Sequence, residues 1–344
     1  MITFFSEQHV QHAPQHEFFR GERVPCFESP ARARFVQQQL MARGHVLREP
    51  GTDSRPVLAL IHTSRYLAFL EGAWADWLAL EPGNADRQPF PSVWPVRSLR
   101  ADVEPANFTA RLGLYSMDNG SPLSAGTWAA AKAGADAAVS ATRLLRAGEH
   151  AVFCATRPPG HHAGADFMGG YCFLNNAAVA AQALRTQGCR RVAVLDVDYH
   201  HGNGTQSLFY ERADVLFVSL HGDPRTEYPF YLGHADERGA GAGEGCNLNL
   251  PLPRGTGFAR WHEALLQGIE AVRIFGAQAL VVALGVDTFE GDPISGFQLR
   301  SADYLQVGAS LATLGLPTVF TFEGGYAVAE VGVNVANVLE GFAG

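Results

Sequence analysis

Five short apolar runs, each closing on a cluster of polar reactive residues, constrain the fold of this chain more than any other feature. They are Ala151–Thr156, Arg191–Val197, Val215–Leu220, Ala279–Val286 and Pro317–Phe322. Stretches with helical spacing lie between them: Asn176–Gln187, Phe258–Phe275 and Ala302–Leu314. Continuous β-branched runs bounded by turns fit strands buried on both faces of a parallel sheet. Their alternation with helices predicts an α/β protein, three layers deep, with helices on both sides of a central, mostly parallel sheet. Of the 344 residues, 47% are hydrophobic and 17% charged, which is enough apolar surface for one large core. No fixed-period repeat or linker divides the chain, so residues 1–344 read as a single domain.

Upstream, Ser29-Pro30 reads as a cap and first helical position, opening a helix to about Arg43. Tyr66–Leu80 and the alanine-rich Thr127–Ala147 read as two more helices. Between them, about 81–125, the chain is rich in proline, glycine and asparagine. That is too long for a plain connector and reads as a functional loop or an oligomer contact.

The net charge of −8 argues against a globally basic nucleic-acid binder and is compatible with a cationic small substrate. No apolar run approaches the ~18 residues needed to span a bilayer. The five cysteines are odd in number and form no CxxC, so a disulfide framework is not expected. A reducing, cytoplasmic compartment fits better. Cys154 and Cys172 lie in apolar surroundings and read as core fillers.

In open α/β sheets, ligands bind beyond the carboxyl ends of the strands. The five runs lead into His161-His162, into Asp196-Val-Asp198-Tyr-His200-His201-Gly-Asn203, into His221-Gly-Asp223, into Asp287 and into Glu323-Gly-Gly-Tyr326. An isolated Asp-x-His is usually a surface or capping pair. Here an apolar strand leads into Asp198-Tyr-His200, and residues two apart on a strand share a face. Asp198, His200 and Asp287 are therefore candidate ligands of one divalent ion. Three protein ligands leave a coordination position open, as catalysis requires. Two carboxylates and one imidazole also suit Fe²⁺ or Mn²⁺.

Asp196 is better placed to hold a histidine than to close the metal site, because a carboxylate accepting a ring N–H fixes the tautomer. With Asp196 behind His161 and Asn203 behind His162, the paired imidazoles gain different proton affinities, as a general base and a general acid need. Tyr326, after two glycines, is placed to donate to an oxyanion. A packing tyrosine is the plainer alternative for that position.

Read together, RPPGHHA, GGYCFLNNAAVAA, LDVDYHHGNGTQ, SLHGDP, LGVDTFEGDPIS and EGGY, in this order, resemble the histone deacetylase and acetylpolyamine amidohydrolase family, built on the arginase–deacetylase fold. The segment HEFFRGERVPCFESPAR and the final GVNVANVLEGFAG resemble the acetylpolyamine branch in particular. The resemblance implies a hydrolase of acyl amides with one Zn²⁺ per chain on Asp198, His200 and Asp287. It assigns catalysis to His161, His162, Tyr326, Asp196 and Asn203. It implies a structural K⁺ or Na⁺ near Asp196, Asp198, His200, Ser219 and Leu220, and a second near Phe209, Arg212 and Val215. Gly170, Tyr171, Tyr228 and Asp118 match the substrate tunnel. The dimanganese relatives on this fold need acids where this chain has Gly202 and Phe289, so one metal is expected.

The implied substrate is a small acylated amine, acetylated polyamines first, handled by a homodimer without nucleic-acid or membrane partners. Acyl-lysine in proteins is the alternative substrate, and a non-catalytic sensor of acyl-amines a further one. Thr109 and Gly120 stand where the polyamine branch carries glutamates, with Asp118 as a partial substitute. Gly296 stands where a bulky aromatic is common, which predicts a roomier mouth.

Overall fold

The computed structural model describes residues 1–96 and 98–344. Its strands are β1 (Ile2–Phe4), β2 (His16–Phe19), β3 (Glu22–Pro25), β4 (Val46–Arg48), β5 (Ala151–Cys154), β6 (Val192–Asp196), β7 (Val215–Gly222), β8 (Asn247–Leu252), β9 (Ala279–Leu284) and β10 (Thr318–Phe322). Its α-helices are α1 (Pro30–Ala42), α2 (Arg55–Ile61), α3 (Ser64–Leu80), α4 (Phe108–Leu114), α5 (Thr127–Arg146), α6 (Asn176–Thr186), α7 (Asn203–Phe209), α8 (Phe258–Phe275), α9 (Asp303–Ala312) and α10 (Val328–Ala343).

Eight strands form one parallel sheet in the order β4-β1-β5-β10-β9-β6-β7-β8, and β2 and β3 form a separate antiparallel hairpin. Alternate strand residues point to opposite faces. Val192, Val194, Val281 and Val319 pack on one side with α3, α5 and α6. Ala193, Leu195, Val282 and Phe320 pack on the other with α1, α8, α9 and α10. Three layers result, as the run-and-helix rhythm predicts. Local signals fix several helix ends. Asn175 Oδ1 accepts the Ala178 N–H at 2.9 Å and starts α6. Gly276, at φ +69°, closes α8 in the left-handed conformation.

Two features depart from the sequence reading. The edge strands β4 and β8, and β1 next to the edge, carry no long apolar run, and register on their neighbours makes them strands. The 81–125 stretch is not all loop, because α4 forms within it behind Asn107, whose Oδ1 accepts the Ala110 N–H at 3.1 Å. Gly113 of α4 is required by close approach: a Cβ there would stand 1.6 Å from the Val93 carbonyl oxygen.

Five strands that adjoin in the sheet, β5-β10-β9-β6-β7, bring their carboxyl ends side by side. No helix among the described residues is long and apolar enough to cross a membrane.

Candidate active site

Beyond β6 the chain leaves the sheet, and Asp198 and His200 lie in bends rather than on the strand. Pleating therefore does not align them, contrary to the sequence argument. Side-chain turns do. Asp196 Oδ1 accepts the Asp198 N–H at 3.1 Å, and Asp198 Oδ1 accepts the His200 N–H at 2.9 Å. Asp287 arrives from the end of β9, with Oδ1 held by the Tyr199 N–H at 2.8 Å and Oδ2 3.0 Å from His200 Nδ1. Asp198 Oδ2 is held by the Gly324 N–H at 2.7 Å. One donor atom from each of Asp198, His200 and Asp287 lies within 4.8 Å of the others, and all three residues are buried. Burial and the Asp198 carboxylate beside it push the Asp287 carboxyl up to about 7. Two buried carboxylates converging on one imidazole call for a cation among them. This donor set fits a divalent ion with a position left open.

The paired histidines differ in what holds them. His161 Nδ1 donates to Asp196 Oδ2 at 2.9 Å, and His162 Nδ1 faces Asn203 Oδ1 at 2.7 Å. Burial opposes charge on His161, but Asp198 and Asp196 outweigh it and push its pKa up to about 10. Burial and the adjacent His161 hold His162 well below the ordinary imidazole range. The two rings lie 4.0 Å apart, centre to centre. His162 lines the cavity above the site and His161 does not. The structure thus gives the two rings unlike partners, as the sequence predicts: a carboxylate behind the inner ring and an amide behind the outer one.

That cavity holds about 780 Å³. His162, His200, Asn203, Tyr326, Gly170, Tyr171, Tyr228 and Asp118 all face it, so the sequence-derived tunnel residues do come together. Gly170, at φ +51°, must be glycine, since a Cβ there would strike His162 Cδ2 at 2.4 Å. Among the described residues of the long loop, only Met117–Gly120 line the cavity. Asp118 is engaged already: it accepts the Tyr228 hydroxyl at 2.6 Å and the N–H groups of Gly120 and Gly170 at 2.8 and 3.2 Å. It positions Tyr228 and the Gly170 turn. Burial keeps the Tyr326 phenol well above its ordinary pKa, and therefore a hydrogen-bond donor.

The mouth is not widened at Gly296. Its missing side chain makes room for Arg254, whose Cγ would lie 2.6 Å from a Cβ there, and Arg254 pairs with Glu227 at 3.0 Å. A removed aromatic leaves no gap when a neighbouring long side chain fills it.

The residues matched to monovalent-cation sites fall in two places. Asp196 and Ser219 are paired across β6 and β7, next to Asp198, His200 and Leu220. Phe209 ends α7, Arg212 donates its N–H to the Phe209 carbonyl at 2.9 Å, and Val215 opens β7.

Four more residues shape the site without having stood out in the sequence. Glu17, 2% exposed, reaches the cavity from the β2–β3 hairpin and accepts the Tyr171 hydroxyl at 2.8 Å. Burial pushes its carboxyl up to about 7. Behind Tyr326, the buried Arg32 guanidinium sits 4.6 Å from the ring centre and donates from Nε to the Gly325 carbonyl at 2.6 Å. Glu28 pairs with both Arg32 at 3.0 Å and Arg157 at 2.8 Å, all three fully buried. Burial alone would raise the Glu28 carboxyl, but Arg157 and Arg32 hold it below the usual range. Glu28→Ala leaves two buried guanidiniums without their shared anion. A loss of about 3–5 kcal/mol in urea unfolding is expected, by the usual cost of breaking a buried pair. An unchanged midpoint and slope would show the triad to be dispensable.

Comparison with known proteins identifies the family. The histone deacetylase domain matches residues 26–342. The chain is 50% identical to acetylpolyamine amidohydrolase 2 of Pseudomonas aeruginosa, over 100% of this chain and 99% of that protein. It is 45% identical to the acetylpolyamine amidohydrolase of Mycoplana ramosa over the whole of both. The crystal structure of acetylpolyamine aminohydrolase from Burkholderia pseudomallei superposes with a TM-score of 0.94 at 38% identity, over 100% of this chain and 98% of that one. The chain belongs to the histone deacetylase family and has its arginase–deacetylase fold. It is a deacetylase-type hydrolase, and the family's fold implies a bound metal ion.

Proposed function

We propose that this chain removes acetyl groups from acetylated polyamines and other small aliphatic amines, using one Zn²⁺ held by Asp198, His200 and Asp287. The observation that carries this reading is the buried donor set with His161 beside it at the foot of one aromatic-walled cavity that His162, His200 and Tyr326 line. Full-length identity to acetylpolyamine amidohydrolases supports the substrate class. When bound, the ion supplies Lewis acidity and lowers the pKa of a bound water.

The remaining chemistry belongs to the protein's own groups. His162, neutral and with Nδ1 given to Asn203, presents Nε2 to the cavity. It takes the proton of the attacking water and returns it to the leaving nitrogen. His161, its Nδ1 tied to Asp196, packs 4.0 Å from His162, ring centre to ring centre, as the second imidazole available for proton handling. The Tyr326 hydroxyl donates to the carbonyl oxygen as that atom becomes an oxyanion. Tyr171 and Tyr228 flank the aliphatic chain, and aromatic faces also attract a distal ammonium. A structural K⁺ or Na⁺ near Asp196 and Ser219, and a second near Phe209, Arg212 and Val215, would offset surplus buried charge and brace the strand ends.

Glu17 is the acid best placed for that ammonium. Glu17→Gln is expected to raise KM for acetylputrescine about tenfold with kcat unchanged, as losing one charged hydrogen bond implies. N-acetylpropylamine, which has no distal charge, serves as the control. An equal effect on both substrates would remove the role. In a panel with zinc-reconstituted protein, acetylputrescine and acetylcadaverine should exceed an acetyl-lysine peptide in kcat/KM, and the reverse order would favour the protein-deacetylase alternative.

A homodimer is part of the same proposal. Val93, Val96, Leu99 and Val103 expose apolar side chains along the long loop. Light scattering should give twice the chain mass. A monomer that retains full activity would sink it. A cytoplasmic location fits the five free cysteines.

A further inference from the structure

Glu323 lies three residues before Tyr326, and no step of the proposed reaction uses it. It is completely buried. Its Oε2 accepts two main-chain N–H groups, from Gly160 at 2.6 Å and from His161 at 3.1 Å. Its Oε1 accepts the Thr321 hydroxyl at 3.2 Å. Burying a carboxylate is costly unless its lone pairs are filled, and here protein donors fill them.

Both ends of this connection are fixed. On one side, Gly160 has no freedom to retreat: a side chain there would stand 2.5 Å from the Asn176 nitrogen and 2.7 Å from the Leu174 carbonyl oxygen. The His161 carbonyl is held by the Thr205 N–H at 3.1 Å. On the other side, the Glu323 N–H donates to the Leu284 carbonyl at 2.9 Å, and its own carbonyl accepts the Arg32 guanidinium. Two residues further along, the Gly325 carbonyl accepts Arg32 Nε at 2.6 Å, and the Tyr326 N–H donates to Asp292 Oδ2 at 2.7 Å. Glu323 thus joins the turn bearing His161 and His162 to the turn bearing Tyr326.

We propose that Glu323 is a positioning residue that fixes the separation between the histidine pair and the Tyr326 phenol. The inference rests on the reaction proposed above, which needs base and oxyanion donor placed together. The clasp works through the reach of Oε2, not through charge. Glutamine keeps that oxygen at the same length, and its NH₂ can donate to the Thr321 hydroxyl. Aspartate keeps the charge but withdraws the oxygen by one methylene. Displacement of a catalytic group by about 1 Å costs roughly 10²-fold in rate.

The test compares Glu323→Gln and Glu323→Asp by steady-state kinetics on acetylcadaverine, with metal analysis of each protein. Expected is a kcat for Glu323→Gln within about fivefold of wild type. Glu323→Asp should lose about 10²-fold in kcat, with KM within about threefold and metal content unchanged. A role in stability alone would lower the melting temperature without this division between kcat and KM. Wild-type kcat in Glu323→Asp, an equal loss in Glu323→Gln, or a loss residing in KM would each overturn the proposal. Failure of the wild-type protein to hydrolyse any acetylated amine would instead overturn the reaction itself, before any variant is compared.

Discussion

Asp287→Ala is expected to leave the fold standing while removing both the bound metal and turnover. Asp287 brings one of the two carboxylates to the donor set, and its Oδ2 lies 3.0 Å from His200 Nδ1. Without it, one carboxylate and one imidazole remain, too few to hold a divalent ion in a catalytic geometry. The structural cost is smaller. The Tyr199 N–H loses its partner on Asp287 Oδ1, at about 1–3 kcal/mol for one unpaired buried donor. Loss of a surplus buried negative charge beside Asp198 works in the opposite direction. Lewis-acid stabilisation is worth several kcal/mol, so kcat/KM should fall by roughly 10³ or more. Elemental analysis alongside circular dichroism checks this. Normal metal content in the variant would defeat the ligand assignment.

Tyr326→Phe is the second large effect, and it separates the oxyanion donor from the metal. The ring keeps its place, because Arg32 stacks 4.6 Å from the ring centre and the Tyr326 N–H is tied to Asp292. Only the hydroxyl is lost. Removal of one oxyanion donor lowers kcat by roughly 10²–10³, and metal content should stay at the wild-type level. Because burial keeps the phenol protonated well above its ordinary pKa, its donation should not limit the rate across the neutral range. Full activity in Tyr326→Phe would make it a packing residue, the plainer reading its Gly-Gly turn allows.

Which residues meet at the site is more legible in the sequence than how they are brought together. The long apolar runs became β5, β6, β7, β9 and β10, because a strand buried on both faces needs a continuous apolar stretch. The strands at the β4 side of the sheet leave no sequence signal because β1 and β4 are only three residues long. Pairing with a neighbour, not composition, makes them strands. Asp198 and His200 were correctly associated for a reason that does not hold, since capping turns beyond β6 align them. Local sequence does not distinguish a strand's end from its continuation when the next residues are Val197 and Tyr199, both apolar and buried.

The groups that support the site were the least visible. Glu17 lies in a charged hairpin sequence with no periodicity, and its value depends on Tyr171, distant in the chain. Glu323 leaves no sequence signal of its role, because its partners are main-chain N–H groups that any sequence could supply. The width of the mouth at Gly296 is not readable from that position alone, since Arg254 fills the space from another segment. Side chains that act on remote backbone or fill remote gaps leave no local pattern.

A lone catalytic metal on Asp198, His200 and Asp287 underlies every step proposed for this chain. Its most direct test is to strip the protein of metal and titrate it with Zn²⁺ while following acetate release from acetylputrescine. Activity is expected to rise linearly and to reach its plateau at one equivalent per chain. A plateau at two equivalents, or no activity at any loading, would contradict it.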